Sequence, residues 1–252
     1  MNLNEFLEMK NEFAEYIYRY EYFLKCGTIN DCYYTNFFGG ILREMRTTDI
    51  ESKVMTTAIA LKSSGKSQEE IDKYLEEQKK AFKDGEEKLK LKDKLAKNIV
   101  DNNEKLSIED KKQFEIDYLE YVKTNHPIVK CLISDQEEQL FQLISKMYKE
   151  NNYSGYKEIL SLNKNIFTNP EYKEEDFTKI SGYYYDIKKN INADYMKKQN
   201  SYPYNKQETL KNEIAVAREK GDLTAKLNEF KAANRNIHKD FINAFSTDFS
   251  LI

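Results

Sequence analysis

The sequence predicts an all-α protein built from long antiparallel helical hairpins of coiled-coil-like character that flank one small helical hairpin. Three observations predict it. The 252 residues include only 8 Gly and 3 Pro, and 33% of them are Asp, Glu, Lys or Arg. That mixture lets helices run on and gives strands little support. Apolar residues recur at threes, fours and sevens through most of the chain. Polar clusters with capping patterns separate the periodic stretches. The hydrophobic share is 40%, with 19 Tyr and 14 Phe but no Trp, which suits narrow apolar stripes on paired helices.

Phe6, Phe13, Ile17, Tyr20 and Leu24 place a first amphipathic helix over 3–24, and 25–31 reads as a connection. A second helix is predicted over 33–62, with Phe38, Leu42, Met45, Met55 and Ile59 on its stripe and Gly39-Gly40 weakening its start. Residues 63–67 form a turn, and Ser67 with Glu70 makes a capping box for a third helix over 68–99. Ile71, Leu75, Gln78, Phe82, Gly85, Leu89, Lys92, Ala96 and Ile99 form its heptad seam. Helices two and three are expected to pair, each about 45 Å long at 1.5 Å per residue.

Residues 101–104 read as a polar break. Ser107 and Asp110 cap a fourth helix over 108–125, with Phe114, Tyr118, Leu119 and Val122 on its apolar face. A loop over 126–134 leads to a return helix over 135–151, and Tyr156, Ile159 and Leu160 suggest a further turn packing back. Phe177, Ile180, Tyr184, Ile187 and Ile191 line the next helix. Pro203 then holds Tyr202 extended. A final helix over 206–244 carries Leu210, Ile214 and Ala217, then Leu223, Leu227, Phe230, Ile237 and Phe241 in shifted register. The tail from 246 to 252 is expected to fray. The segments 1–104, 105–162 and 163–252 are read as three regions.

The segment from 107 to 160, about a fifth of the chain, resembles the second half of a J domain, the hairpin that DnaJ-type co-chaperones present to a DnaK-type ATPase. The resemblance rests on Phe114, Tyr118, Val122, His126, Pro127, Phe141, Ile144 and Tyr148. The return helix, from Phe141 through Ile144 and Met147 to Tyr148, fits the family pattern at its apolar positions. Tyr202-Pro203-Tyr204 is similar to a Phe-Pro-Phe-like step in some bacterial J-like proteins. The resemblance implies a protein-binding surface of Lys111, Lys112, Lys123, His126, Pro127 and Ile128, over a core of Phe114, Tyr118, Val122, Phe141, Ile144 and Tyr148. The sequence departs from the family at two points. Ile128 stands where the family has the Asp of its His-Pro-Asp loop, so no carboxylate is there to pair with a partner arginine. The preceding helix carries Glu109, Asp110, Glu115, Asp117 and Glu120 against its three lysines, which weakens a basic docking strip.

Other chemistries find little footing. Residues 60–67 match the loosest phosphate-loop pattern, with Ala60 in the first glycine position, but they follow an amphipathic helix and not a buried strand. His126 and His238 are the only histidines and neither stands in metal spacing with a cysteine. No catalytic residue, metal or cofactor is expected. The formal net charge of −3 argues against nucleic acid as a partner. No apolar run approaches the ~20 residues that span a bilayer. Cys26, Cys32 and Cys131 form no Cys-x-x-Cys pair, and with no signal-peptide pattern the expectation is a cytoplasmic, reducing setting. The expected partner is another protein, either a DnaK-type chaperone or an unrelated complex subunit, with the heptad seams also permitting a homo-oligomer.

Overall fold

The computed structural model describes residues 1–131, 134–167 and 170–251, and every regular element among them is helical. In chain order these are α1 (Leu3–Ser63), α2 (Gln68–Lys105), α3 (Ile108–Asn125), α4 (Pro127–Lys130), α5 (Asp135–Lys149), α6 (Tyr153–Leu162), α7 (Glu174–Lys198), a 3-10 turn (Tyr204–Lys206), α8 (Gln207–Lys211) and α9 (Glu213–Phe245). The protein is all-α. Leu132 and Ile133 of the predicted loop, and Ile252 of the predicted tail, lie outside the described residues.

Two compact units form, each from segments distant in sequence: Met1–Cys32 with Lys97–Gln207, and Tyr33–Ala96 with Glu208–Ile252. The stretch 105–162 falls wholly within the first, whereas 1–104 and 163–252 are each divided. In the first unit, Phe6, Phe13 and Ile17 of α1 pack with Phe114, Tyr118 and Val122 of α3, Ile144 and Tyr148 of α5, and Phe177, Ile180 and Tyr184 of α7. In the second, Val54, Met55 and Ala58 of α1 meet Ile71 and Phe82 of α2 and Phe241 of α9. There α1 and α2 run antiparallel, with Arg46 reaching Glu86 at 3.1 Å and Arg43 reaching Asp93. The connecting turn is the predicted one. Gly65 takes a φ of +82°, and Ser67 and Glu70 cap α2 reciprocally at 3.0 and 3.2 Å.

Four expectations are corrected. The predicted connection 25–31 is helical and α1 is continuous through it. A lone helical glycine costs only about 1 kcal/mol, and the Tyr204 ring fills the space where a Gly27 side chain would stand, stacked on Phe23 at 4.2 Å. The break predicted at 101–104 is likewise absent, since α2 runs on to Lys105 with Ile99 and Val100 buried. The helix ends only where Ser107 takes over as the N-cap of α3, accepting from the Asp110 N–H at 3.0 Å. Ile214 is 81% exposed and Ala217 is also outside. The Asn212 cap sets the register of α9, so that Val216 and Leu223, seven apart, face Tyr34 and Phe38 instead. The tail, finally, packs back: Phe249 and Leu251 are buried, and Leu251 N–H donates to Glu51 at 3.2 Å.

No helix among the described residues is long and apolar enough to cross a membrane.

Candidate functional site

The hairpin of α3 and α5 organises the first unit. Phe114, Tyr118, Val122, Ile144 and Tyr148 are all fully buried, because positions three and four apart share one helix face. Tyr118 and Tyr148 stack at 3.5 Å between ring centres, and Phe114 meets Tyr148 edge-on at 5.4 Å. Phe141 is partly buried at the margin of this core and sets its ring against His126 at 4.5 Å.

A buried polar network joins the hairpin to α1. Glu115 accepts from Lys25 Nζ at 2.6 Å, from the Tyr18 hydroxyl at 2.9 Å, and from the Tyr148 hydroxyl. The Lys25 ammonium lies over the rings of Tyr148 at 4.2 Å and Phe114 at 4.7 Å, an attraction that grows when water is excluded. Burial lowers the Lys25 pKa, opposed by the Glu115 carboxylate beside it. Glu21 gathers Lys149 at 3.3 Å, Ser145 at 3.3 Å and Tyr118 at 3.4 Å. Burial pushes the hydroxyls of Tyr18, Tyr118 and Tyr148 well above the usual phenol range. Both carboxylates are therefore committed to internal partners, and the network is a helix-to-helix staple.

The predicted loop after α3 begins as a helical turn. His126 is the N-cap of α4, its Nδ1 accepting from Ile128 N–H at 3.2 Å, and Pro127 occupies the first helical position, which needs no N–H. Lys10 closes α3 from the other side by donating to the Lys123 carbonyl at 3.1 Å. The four-residue α4 leaves carbonyls without helical partners. Tyr184 donates to that of Val129 and Tyr172, at 3.1 Å, to that of Lys130. Cys131 ends the turn with a φ of 58°, uncommon for a residue with a side chain. The Lys130 ammonium is wholly buried and bonded to Glu137. Glu137 also receives Ser134 N–H at 2.9 Å as the far half of the α5 capping box. The ends of α4 and α5 are thus tied by one buried carboxylate.

The outer side of this turn is open. Pro127, Ile128 and Cys131 face Ile180 and Tyr183 of α7 across a groove of about 510 Å³, rimmed by Glu138, Asp176 and Lys179. Tyr183 is 41% exposed. His126 itself is 1% exposed, behind the surface of the groove. Burial, with the Lys149 ammonium adding to it, pushes its pKa down to about 3, so it is a neutral capping imidazole.

The predicted surface residues fall at the two ends of α3. Lys123, Pro127 and Ile128 lie near the α4 turn. Lys111 and Lys112 lie about 20 Å away along the helix, where they line a smaller pocket of about 280 Å³ with Tyr22, Lys25, Cys26, Ile29, Asn103, Glu115 and Asn151. The sequence reading missed Ile180 and Tyr183 as groove residues, because they belong to a helix some 50 positions away. It also missed the Lys130–Glu137 pair, although Ser134-x-x-Glu137 is a capping-box pattern visible in the sequence.

Among the described residues no three His, Cys, Asp or Glu side chains are grouped to hold a metal ion. Comparison with protein-family models, with curated proteins and with solved structures finds no match to this chain.

Proposed function

We propose that this chain is a non-enzymatic interaction protein, an adaptor that docks a segment of a partner protein in the groove beside the His126-Pro127 turn. The observation that carries this reading is the groove itself. An apolar floor of Pro127, Ile128, Ile180 and Tyr183 lies open beside a turn that buried bonds hold in place. Two acidic rim residues against one lysine favour an apolar segment flanked by Lys or Arg. The test is affinity purification of the tagged protein from its host, followed by reconstitution with the purified co-eluting partner. Ile128→Glu and Tyr183→Asp, both on the groove surface, are expected to abolish the reconstituted complex while the helical content stays unchanged. Undiminished binding by both variants, or turnover of a small substrate by the pure protein, would overturn the proposal.

The packing of Phe114, Tyr118, Val122, Ile144 and Tyr148, with Phe141 against His126, favours a second reading as a degenerate J-like hairpin that regulates a DnaK-type ATPase. Faster ATP hydrolysis by a purified DnaK-type chaperone in the presence of this protein supports it. An unchanged rate sinks it.

A further inference from the structure

Beyond the Ser246 cap of α9 the chain leaves the helix and lies across the second unit as an extended strap. Phe249 and Leu251 are buried while Asp248 and Ser250 are exposed, the alternation of an extended segment with one face against a surface. The apolar seat beneath it comes from Val54, Met55 and Ala58 of α1, Ile71 and Phe82 of α2, and Phe241 of α9. The Phe249 ring meets that of Phe241 at 5.6 Å, and the Lys79 ammonium lies 5.4 Å from its centre.

Polar contacts fix the register of the strap. Glu51 Oε1 accepts from Leu251 N–H at 3.2 Å and from the Ser250 hydroxyl at 3.4 Å. Its other oxygen accepts from Asn234 Nδ2 at 3.5 Å, and Asn234 in turn accepts from the Ser52 hydroxyl at 2.8 Å. Thus α1 and α9 hold the carboxylate in place without help from the strap. Asp248 meets His238 Nε2 of α9 at 2.6 Å. The seat therefore reads an acid, an aromatic ring, a backbone N–H and an aliphatic side chain in a row, as grooves that recognise extended peptides do. Two side chains are buried for five residues ordered beyond the cap, so the entropy of ordering nearly offsets the burial. Ser246, at φ 54°, closes α9 by donating its N–H to the Ile242 carbonyl at 2.7 Å, which lets the strap lift without unwinding the helix.

We infer that this seat is a peptide-recognition site for an acid-aromatic-x-aliphatic segment, kept filled in cis by Asp248-Phe249-Ser250-Leu251 and taken over by a partner protein that carries the same pattern. A tethered strap acts at an effective concentration in the millimolar range, so it shields the apolar seat from water and sets the affinity that a partner must exceed. The seat shares no residue with the groove beside the His126 turn.

The test is NMR titration of the full chain with a peptide of residues 246–251, in the natural protein and in the double variant Phe249→Ser/Leu251→Ser, whose strap is released. The released variant is expected to bind the peptide with a Kd of about 1 mM or tighter. The natural chain is expected to bind about tenfold weaker, because its own strap competes. Adding Glu51→Ala to the released variant should weaken the peptide about fivefold, the loss of one hydrogen bond. Hydrogen exchange on the natural chain checks the release without any substitution: the Leu251 amide should exchange well ahead of the Phe241 amide in α9. Four outcomes overturn the inference: no peptide binding by a released variant of unchanged helical content, equal affinity in the natural and released chains, an affinity indifferent to Glu51→Ala, or a Leu251 amide as protected as that of Phe241.

Discussion

His126 makes stability of the first unit depend on acidity, and the size of the effect follows from its surroundings. The ring is 1% exposed, its Nδ1 accepts one backbone N–H, and its Nε2 has no partner. Burial takes its pKa from 6.5 down to about 3. The unfolded chain therefore takes up this proton near pH 6.5, and the folded chain only near pH 3. Stability that is present above pH 6.5 is lost as the pH falls toward 3. At about 1.4 kcal/mol per unit, the loss between pH 7 and pH 5 comes to about 2 kcal/mol. The same figure holds for any folded value below about 4. Urea unfolding at the two pH values, followed by tyrosine emission, measures it. The chain has no Trp to quench that emission, and of its 19 tyrosines only Tyr33, Tyr34 and Tyr74 lie in the second unit. His126→Asn keeps a short acceptor for the Ile128 N–H and does not titrate. The variant should lose about 2 kcal/mol less than the natural chain over this interval, every other titrating group being common to both. Equal losses in the two proteins would refute the reasoning.

Three further predictions concern packing. Lys130→Met and Glu137→Gln should each cost about 3–5 kcal/mol in the same urea assay, because each leaves a buried group without its partner. The double change Lys130→Met/Glu137→Leu should cost far less than their sum, chiefly the lost cap of about 1 kcal/mol; additive losses would rule out a coupled pair. Gly27→Ala should destabilise the first unit by about 1–3 kcal/mol, since the Tyr204 ring occupies the space of the new methyl, and a neutral result would show that Tyr204 moves freely. Gly221→Ala, with open space around it in the interior of α9, should instead raise the stability of the second unit by about 0.5–1 kcal/mol, read as a higher denaturation midpoint; a lower midpoint would contradict the open environment.

The hairpin was legible because its signals are local. Ser107 with Asp110 announces the start of α3, and Phe114, Tyr118 and Val122 recur on one face, as do Ile144 and Tyr148. Capping chemistry and a 3.6-residue period act within a few positions, so they are written directly into the sequence. The candidate sites were legible only in fragments. Lys111, Lys112, Pro127 and Ile128 stand out as surface residues of a hairpin, but nothing local links Ile128 to Tyr183, or Lys111 to Tyr22 and Asn151. Ile128 and Tyr183 line one groove, and Lys111 and Tyr22 one pocket, because α7 and α1 pack on the hairpin, which depends on contacts between positions far apart.

The sequence by itself determined the helical class, most helix positions and the hydrophobic faces, since few breakers and a sustained period leave no competing local structure. Tertiary structure decided where helices do not end. Gly27 sits inside α1 because Tyr204, 177 positions later, covers it, and the polar run at 101–104 stays helical with Asn103 bonded to Asn151. It also decided that the chain forms two units from interleaved segments, and that His126 is buried rather than presented. Each of these turns on which distant side chain arrives to fill a space or complete a bond, a free energy that no local window contains.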